Sequence, residues 1–497
     1  MRILGLAGSL RGALTPEQAA LLVAELPLLS DREAMAVWLR GLSAPGDAST
    51  GTVPDGLREA LRTAGARGVS NSEAALAAGL WAAADVGAGM GVDVGFRSLA
   101  WHFRPDGTRQ DMDALKADLL AADALLVSGP VYFGDRGSLV QELVTLLRED
   151  DYLREALAGC LYGGIAVGAK RNGGQETALV YQVLDMVSLG LLAVGNDSET
   201  TAQYGGTVRA GMVGSACEDD YGLDTAMGTG RRLARLLMGM EVGGHIAGPV
   251  RVAFVILQDA RGRGLEAARG LAEAFADEVE SEIIDVTGMR LMRCRACDVC
   301  PSTIGPDEDY RCALAGRDDF SDLHRRLLDH DALVPVMVSA REQSVVHSAY
   351  QVFMERTRYL RRGDYALSDT LLAPMALVEP GADENLHVRA ITSLIRHHMV
   401  VGRPVTVMLR QGELTESGAD VLARWFTCVV RRARLTGAAR LAVASRLEGV
   451  VSYNPVGYVL PSAANGKAEM DARRRAVEER CERLRTLART RLAGGDA

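Results

Sequence analysis

From Arg2 to Met238 the sequence passes five times through a short apolar run, a loop rich in glycine or proline and a helical pattern. From Val250 to Val401 it does so again. The apolar runs of the first half are Arg2–Ala7, Val92–Ala100, Asp123–Ser128, Leu161–Val167 and Leu189–Val194. Those of the second are Val250–Leu257, Val279–Asp285, Ala332–Val338, Pro374–Val378 and His398–Val401. Runs this short, with helical patterns between them, read as strands of a parallel sheet covered by helices on both faces. Each half is therefore expected to be an α/β, doubly wound sheet, with any ligand at the carboxyl ends of its strands. Asp331-Ala332-Leu333-Val334 echoes Asp123-Ala124-Leu125-Leu126, and the matching element order reads as an internal duplication. The break at Gly243–Pro249 is placed as the boundary. This gives domains at 1–243 and 250–436, with a C-terminal extension at 437–497 that ends in a charged helix at about Ala468–Leu492.

The loops at the strand ends carry the chemistry. Arg2–Ala7 runs into Gly8-Ser9-Leu10-Arg11, where a hydroxyl, a guanidinium and backbone amides suit a phosphate. An insertion at about 12–67 follows, and then Ser70-Asn71-Ser72-Glu73 caps a new helix. The expectation is one phosphate loop split by the insertion, with its halves meeting in space. The third strand ends in Gly129-Pro130-Val131-Tyr132-Phe133-Gly134, a stacking surface for a flat ring. The fourth ends in Lys170-Arg171-Asn172-Gly173-Gly174-Gln175-Glu176, whose amides suit the polar edge of a heteroaromatic ring. In the second half the corresponding loops read Gln258-Asp259-Ala260-Arg261-Gly262-Arg263-Gly264, Ser339-Ala340-Arg341-Glu342-Gln343 and Glu379-Pro380-Gly381-Ala382-Asp383-Glu384. Neither the aromatics nor the amide-rich edge is repeated there.

The second half has instead Cys294-x2-Cys297-x2-Cys300-Pro301 and, a loop later, Cys312. Compactly spaced thiolates of this kind suit an iron–sulfur cluster. A zinc site uses the same ligands in separated pairs, and plain or redox-active thiols are the third reading. Cys160, Cys217, Cys428 and Cys481 are scattered and read as ordinary thiols. Where the second half has its cysteines, the first has Trp101-His102-Phe103. Tyr132, His102 and Tyr204 are candidate acid–base groups that read better as packing or ring support. His397-His398, at a helix end, reads as a cap rather than a metal pair.

With a net charge of −9 and no dense basic patch, no nucleic-acid partner is expected. No apolar run reaches the length of a membrane span, and Met1–Gly8 is too short and glycine-rich for a signal peptide, so no membrane association and a cytoplasmic location are expected.

Taken together, Gly8-Ser9-x-Arg11, Ser70–Ser72, Gly129–Gly134, Lys170–Glu176 and the four cysteines followed by Asp318-Asp319 resemble the flavodoxin-like NADPH-dependent FMN reductases, and among them the iron–sulfur flavoproteins. The resemblance implies two tandem flavodoxin-like domains. It implies FMN, with its phosphate on Ser9, Arg11, Ser70, Asn71 and Ser72. The ring would lie against Pro130, Val131, Tyr132, Phe133 and Gly134, with its pyrimidine edge toward Arg171, Asn172, Gly173, Gly174, Gln175 and Glu176. It also implies a [4Fe–4S] cluster on Cys294, Cys297, Cys300 and Cys312. The spacing to Cys312 is longer than the family's, the phosphate loop is interrupted, and only one FMN per chain is expected. The implied activity is an oxidoreductase that takes electrons from NAD(P)H or ferredoxin and gives them to a small organic acceptor, with the cluster as a one-electron relay. A tandem chain could bring cluster and flavin together internally; a homodimer is left open. The competing readings are an electron-delivery or scaffold partner of another enzyme, and an FMN reductase with a structural zinc site.

Overall fold

In the computed structural model β1 (Arg2–Ala7) lies inside a parallel sheet, with β2 (Asp93–Ser98) on one side and β3 (Ala124–Tyr132) on the other. The structure describes residues 1–11, 14–43, 57, 68–197, 200, 202–297, 312–328, 330–342, 348–362, 365–382, 385–446 and 482–492. They divide into two compact units, Met1–Met238 and Gly239–Ala497.

In the first unit β3 pairs with β5 (Leu161–Gly168), and β5 with β6 (Leu192–Ala193) and β7 (Gly206–Arg209). With β6 and β7 counted as one interrupted strand, the order is 2-1-3-4-5, the flavodoxin-like order. Burial explains the parallel arrangement. Ile3, Leu4, Leu6 and every residue of β5 are inaccessible or nearly so, because helices cover both faces. Each large aliphatic side chain buried in this way contributes roughly 1.5–3 kcal/mol of transfer free energy. The helices include α1 (Pro16–Glu25), α2 (Arg32–Ser43) and α3 (Asn71–Val86) before β2, then α4 (Leu99–His102), α5 (Met112–Leu120), α6 (Ser138–Glu149), α7 (Asp151–Ala156), α8 (Gln175–Ser188) and the closing α9 (Asp220–Gly243). Two sequence expectations change here. The fifth strand at Leu189–Val194 is only two residues long, and β7 resumes its ladder on β5. The aromatic stretch is not an open loop: β3 runs on to Tyr132 and turns back as β4 (Asp135–Arg136).

The second unit repeats the order by itself. β8 (Val250–Gln258) lies between β9 (Val279–Asp285) and β10 (Ala332–Ser339). β10 pairs with β11 (Leu371–Leu372) and β12 (Met375–Val378). β11 pairs with β13 (Val400–Val401), and β12 with β14 (Val405–Met408). Its helices include α10 (Arg263–Ala274), α11 (Phe320–Leu327), α12 (Ser348–Arg356), α13 (Tyr359–Arg362), α14 (Leu386–Leu394) and α15 (Glu416–Arg446). α15 runs through position 437, so the expected boundary there falls inside a continuous helix. Gly437 does not break it, because its bare Cα lets the helix lie against Asp331: a Cβ there would be 2.8 Å from Asp331 Oδ1. His398 caps a short turn in the left-handed region and stacks on Tyr365 at 3.8 Å. Of the expected charged terminal helix, residues 482–491 are helical; Ala468–Cys481 lie outside the described residues, as do 44–56 and 58–67 of the insertion. Among the described residues no helix is long and apolar enough to cross a membrane.

Candidate functional site

Three chain segments of the first unit are tied together at the carboxyl ends of β1 and β3. The Gly8 amide donates to the Ser128 carbonyl (2.7 Å), and the Ser128 hydroxyl donates to the Ser72 carbonyl (2.8 Å). The two halves of the interrupted loop are thus linked through the end of β3. Ser9 is buried, and its hydroxyl accepts from the Arg11 amide (3.3 Å), while Arg11 itself is exposed.

The helix start at Ser70 is a complete capping box. Ser70 Oγ accepts from the Glu73 amide (3.3 Å), and Glu73 Oε2 accepts from the Ser70 amide (2.8 Å). Glu73 also accepts from Leu14 across the insertion (3.4 Å). Burial pushes its carboxyl up, against the bonds from Ser70, Ser98 and Leu14. Asn71 has partners as well: its amide group donates to the Met212 carbonyl (2.8 Å) and accepts from the Ala216 amide (3.1 Å). The side chains of Ser70 and Asn71 therefore hold the turn, and the helix-start amides of Asn71 and Ser72 are left without a helical acceptor.

The aromatic stretch is a two-residue hairpin. Tyr132 pairs with Asp135, and the turn residues Phe133 (φ 51°) and Gly134 (φ 80°) both lie in the left-handed region, as a type I′ turn requires. Such turns favour Asn-Gly; an aromatic at the first turn position is conformationally costly. Its ring gains no burial in return, since Phe133 is fully exposed and Tyr132 is 59% exposed. Val131 anchors the hairpin by packing, with Tyr204, on Ala166, Ala178 and Leu179. Phe133 thus combines a costly backbone conformation with an exposed ring.

Facing it is the start of α8. Its N-cap, Gly174 (φ 96°), supplies no side-chain cap, so the first-turn amides are open. Gln175 is buried; its Nε2 donates to the Lys170 carbonyl (2.7 Å), and its Oε1 has no hydrogen-bond partner among the described residues. Asn172 (φ 58°), Gly173 and Glu176 lie at the surface. Arg171 is occupied elsewhere: it donates to the Thr207 carbonyl (2.8 Å), pairs with Asp219 and lies over the Tyr221 ring at 5.0 Å. The sequence reading missed the segment after β7. Met212 and Val213 stand exposed beside the Asn71 contact, flanked by Gly211 and Gly214, which were the available signal. His102 is fully buried, with Nδ1 3.3 Å from the Gln110 carbonyl, and burial holds its ring below the ordinary imidazole range.

In the second unit Asp259 caps the start of α10, accepting from the Gly264 (2.7 Å) and Leu265 (2.9 Å) amides. Arg261 pairs with Glu342 (2.6 Å) and Glu379 (3.1 Å), and the Arg341 amide donates to the same Glu379 (3.0 Å). The corresponding strand ends are crossed here by the chain's own ion pairs. The cysteine loop leaves β9. Cys294 Sγ accepts from the Ala296 amide (3.4 Å), and Cys312 Sγ from the Leu314 amide (3.5 Å). Cys294, Cys297 and Cys312 are half-buried and free, and Cys300 lies outside the described residues. Among the described residues no three ligating side chains come together as a metal group.

No protein-family model matches the chain. An iron–sulfur flavoprotein of Methanocaldococcus jannaschii is 34% identical over 130 residues, 26% of this chain and 65% of that protein. An iron–sulfur flavoprotein of Methanosarcina thermophila is 30% identical over 131 residues, 26% of this chain and 62% of that protein. The chain thus spans under two thirds of the length of these two. An NAD(P)H dehydrogenase (quinone) of Caulobacter vibrioides is 31% identical over 145 residues, 27% of this chain and 71% of that protein. A solved WrbA-like flavodoxin protein from Agrobacterium tumefaciens aligns with TM-score 0.25 at 15% identity, over 47% of this chain and 96% of that one. The chain belongs to the flavodoxin-like flavoprotein family that includes these iron–sulfur flavoproteins and quinone dehydrogenases.

Proposed function

We propose that this member of the family is a flavin-dependent oxidoreductase that binds one FMN at the strand ends of the first unit and an iron–sulfur cluster on the cysteine loop of the second. It takes electrons from NAD(P)H or ferredoxin and reduces a small organic acceptor. The observation that carries the reading is the Tyr132–Asp135 hairpin, which holds the Phe133 ring in solvent at a backbone cost opposite the uncapped start of α8.

The residues fit a flavin phosphate ester. Ser9, Arg11 and the amides of Asn71 and Ser72 suit the phosphate, at a helix start that favours an anion. Tyr132 and Phe133 offer the ring a face, and the open amides of α8 offer donors to its carbonyl edge. The orphaned Gln175 Oε1 offers an acceptor for the ring's N–H. Bound there, FMN would supply hydride and single-electron chemistry, while the protein orients it. The closed strand ends of the second unit support a single flavin. The cysteine loop fits a cluster by its donor chemistry: four soft thiolates in the sequence, two of them receiving the amide-to-sulfur bonds that tune such ligands.

The test is an anaerobic spectrum of the purified chain, with flavin, iron, sulfide and zinc measured on the same sample. About one FMN with about four iron and four sulfide per chain is the expected result. Flavin with zinc and no iron would replace the cluster by a structural clip. No flavin would overturn the reading. Turnover of quinones or nitro compounds with NAD(P)H then separates an enzyme from an electron-delivery partner.

A further inference from the structure

The two ends of the cysteine loop are joined at its base by residues other than the cysteines. Before the first cysteine, the Arg290 amide donates to Asp319 Oδ2 (2.7 Å), and the Asp319 amide returns a bond to the Arg290 carbonyl (3.2 Å). Two residues on, the Met292 amide donates to Asp318 Oδ2 (2.8 Å). Arg356, on α12, completes the junction. It pairs with both carboxylate oxygens of Asp318, donates to the Met292 carbonyl (2.8 Å) and lies over the Phe320 ring at 4.5 Å. The Asp318 and Arg356 side chains are 0% and 1% exposed. A charge pair buried that deeply is stable only when its geometry and remaining hydrogen bonds are in place, so it tends toward one arrangement or none.

We propose that Asp318, Asp319 and Arg356 form a metal-independent clasp that closes the base of the cysteine loop before any metal binds. These are positioning residues, and their use to the protein rests on the metal-binding reading of the loop given above. Bringing the ends of a long loop together has an entropic cost that grows with loop length. Here the fold meets that cost at Met292 and Asp318, on either side of Cys294 and Cys312, so metal binding does not have to supply it. Asp318 and Asp319 divide the work: the first is buried with Arg356, and the second is exposed and holds Arg290.

The experiment uses the full chain, stripped of metal and kept reduced. Hydrogen–deuterium exchange is read on peptides covering 286–293 and 316–322, and the anaerobic affinity for Co(II) is read from the thiolate-to-cobalt absorption band. Slow exchange at Arg290 and Met292 is expected without metal. Asp319→Ala, at an exposed position, is expected to speed exchange at Arg290 and to weaken Co(II) binding roughly tenfold, because the metal must then also close the base of the loop. Asp319→Asn keeps an acceptor oxygen and is expected to restore both. The double variant Asp318→Leu/Arg356→Met leaves no lone buried charge and is expected to lose protection at Met292 while the chain stays folded. Fast exchange at Arg290 and Met292 in the metal-free parent chain would overturn the clasp. So would an Asp319→Ala chain with parental exchange and parental Co(II) affinity. Failure of the parent chain to show the cobalt band would remove the metal-binding reading instead, and the exchange measurement would still decide the clasp.

Discussion

Gly174 and Gly134 meet backbone to backbone: a Cβ on Gly174 would lie 2.8 Å from the Cα of Gly134, closer than real Cβ atoms approach. This contact sets the hairpin tip against the start of α8. Gly174 also sits at φ 96°, where a side chain is strained whatever the space. Gly174→Ala is expected to force the two loops apart, lowering FMN affinity at least about tenfold by the loss of roughly 1.4 kcal/mol of fit. Titration of the metal-free chain with FMN, followed by flavin fluorescence, checks it.

Phe133 divides stability from function. Its ring touches solvent, and its backbone occupies a region that costs an L-residue about 1–2 kcal/mol. Asn tolerates that region and precedes glycine in favoured type I′ turns. Phe133→Asn is therefore expected to raise stability by about 0.5–1 kcal/mol and yet weaken flavin binding. Parallel urea unfolding and FMN titration check it; a variant that loses stability and binds FMN as before would show that the ring serves packing.

The strands were legible because parallel strands buried on both faces leave continuous apolar runs, as in Leu161–Gly168. The hairpin was not. Pro130 and Gly134 signal a loop by composition, and the pairing of Val131 with Arg136 and of Tyr132 with Asp135 shows that the strand continues. The residue types around the site were readable, but side-chain commitments were not. Nothing local says that Arg171 is taken by Asp219 or Asn71 by the Met212–Ala216 turn, because those partners lie far along the chain. The clasp on Asp318 is of the same kind: its cation comes from α12.

In the proposed flavin site two serines have different expected roles. The Ser70 hydroxyl is spent on the Glu73 amide, whereas Ser9 sits in the turn after β1 beside Arg11. Ser70→Ala is expected to destabilise the first unit by about 1 kcal/mol while leaving the preference for FMN over riboflavin intact. Ser9→Ala is expected to reduce that preference with little loss of stability. Comparing the two affinities for each variant checks both.

The pH dependence of stability follows from two buried imidazoles. Burial holds the rings of His102 and His397 below their ordinary range, and for His397 the neighbouring Arg361 and Arg396 act in the same direction. A depressed pKa in the folded state means that the unfolded chain binds the proton first. The stability these rings contribute is complete above about pH 6.5 and is lost as pH falls from there toward their folded values. Each ring can add up to about 1.4 kcal/mol per pH unit to the slope. Glu73 acts in the opposite sense. Its carboxyl is raised, so its contribution is present below the ordinary glutamate value and lost as pH rises through the folded one. Urea midpoints between pH 8 and pH 5 separate these effects. The parent chain is expected to lose stability below about pH 6.5, and His397→Leu to flatten that loss in the second unit alone. An unchanged slope in His397→Leu would mean that the ring takes up its proton as readily in the folded chain as in the unfolded one, against its burial beside two arginines.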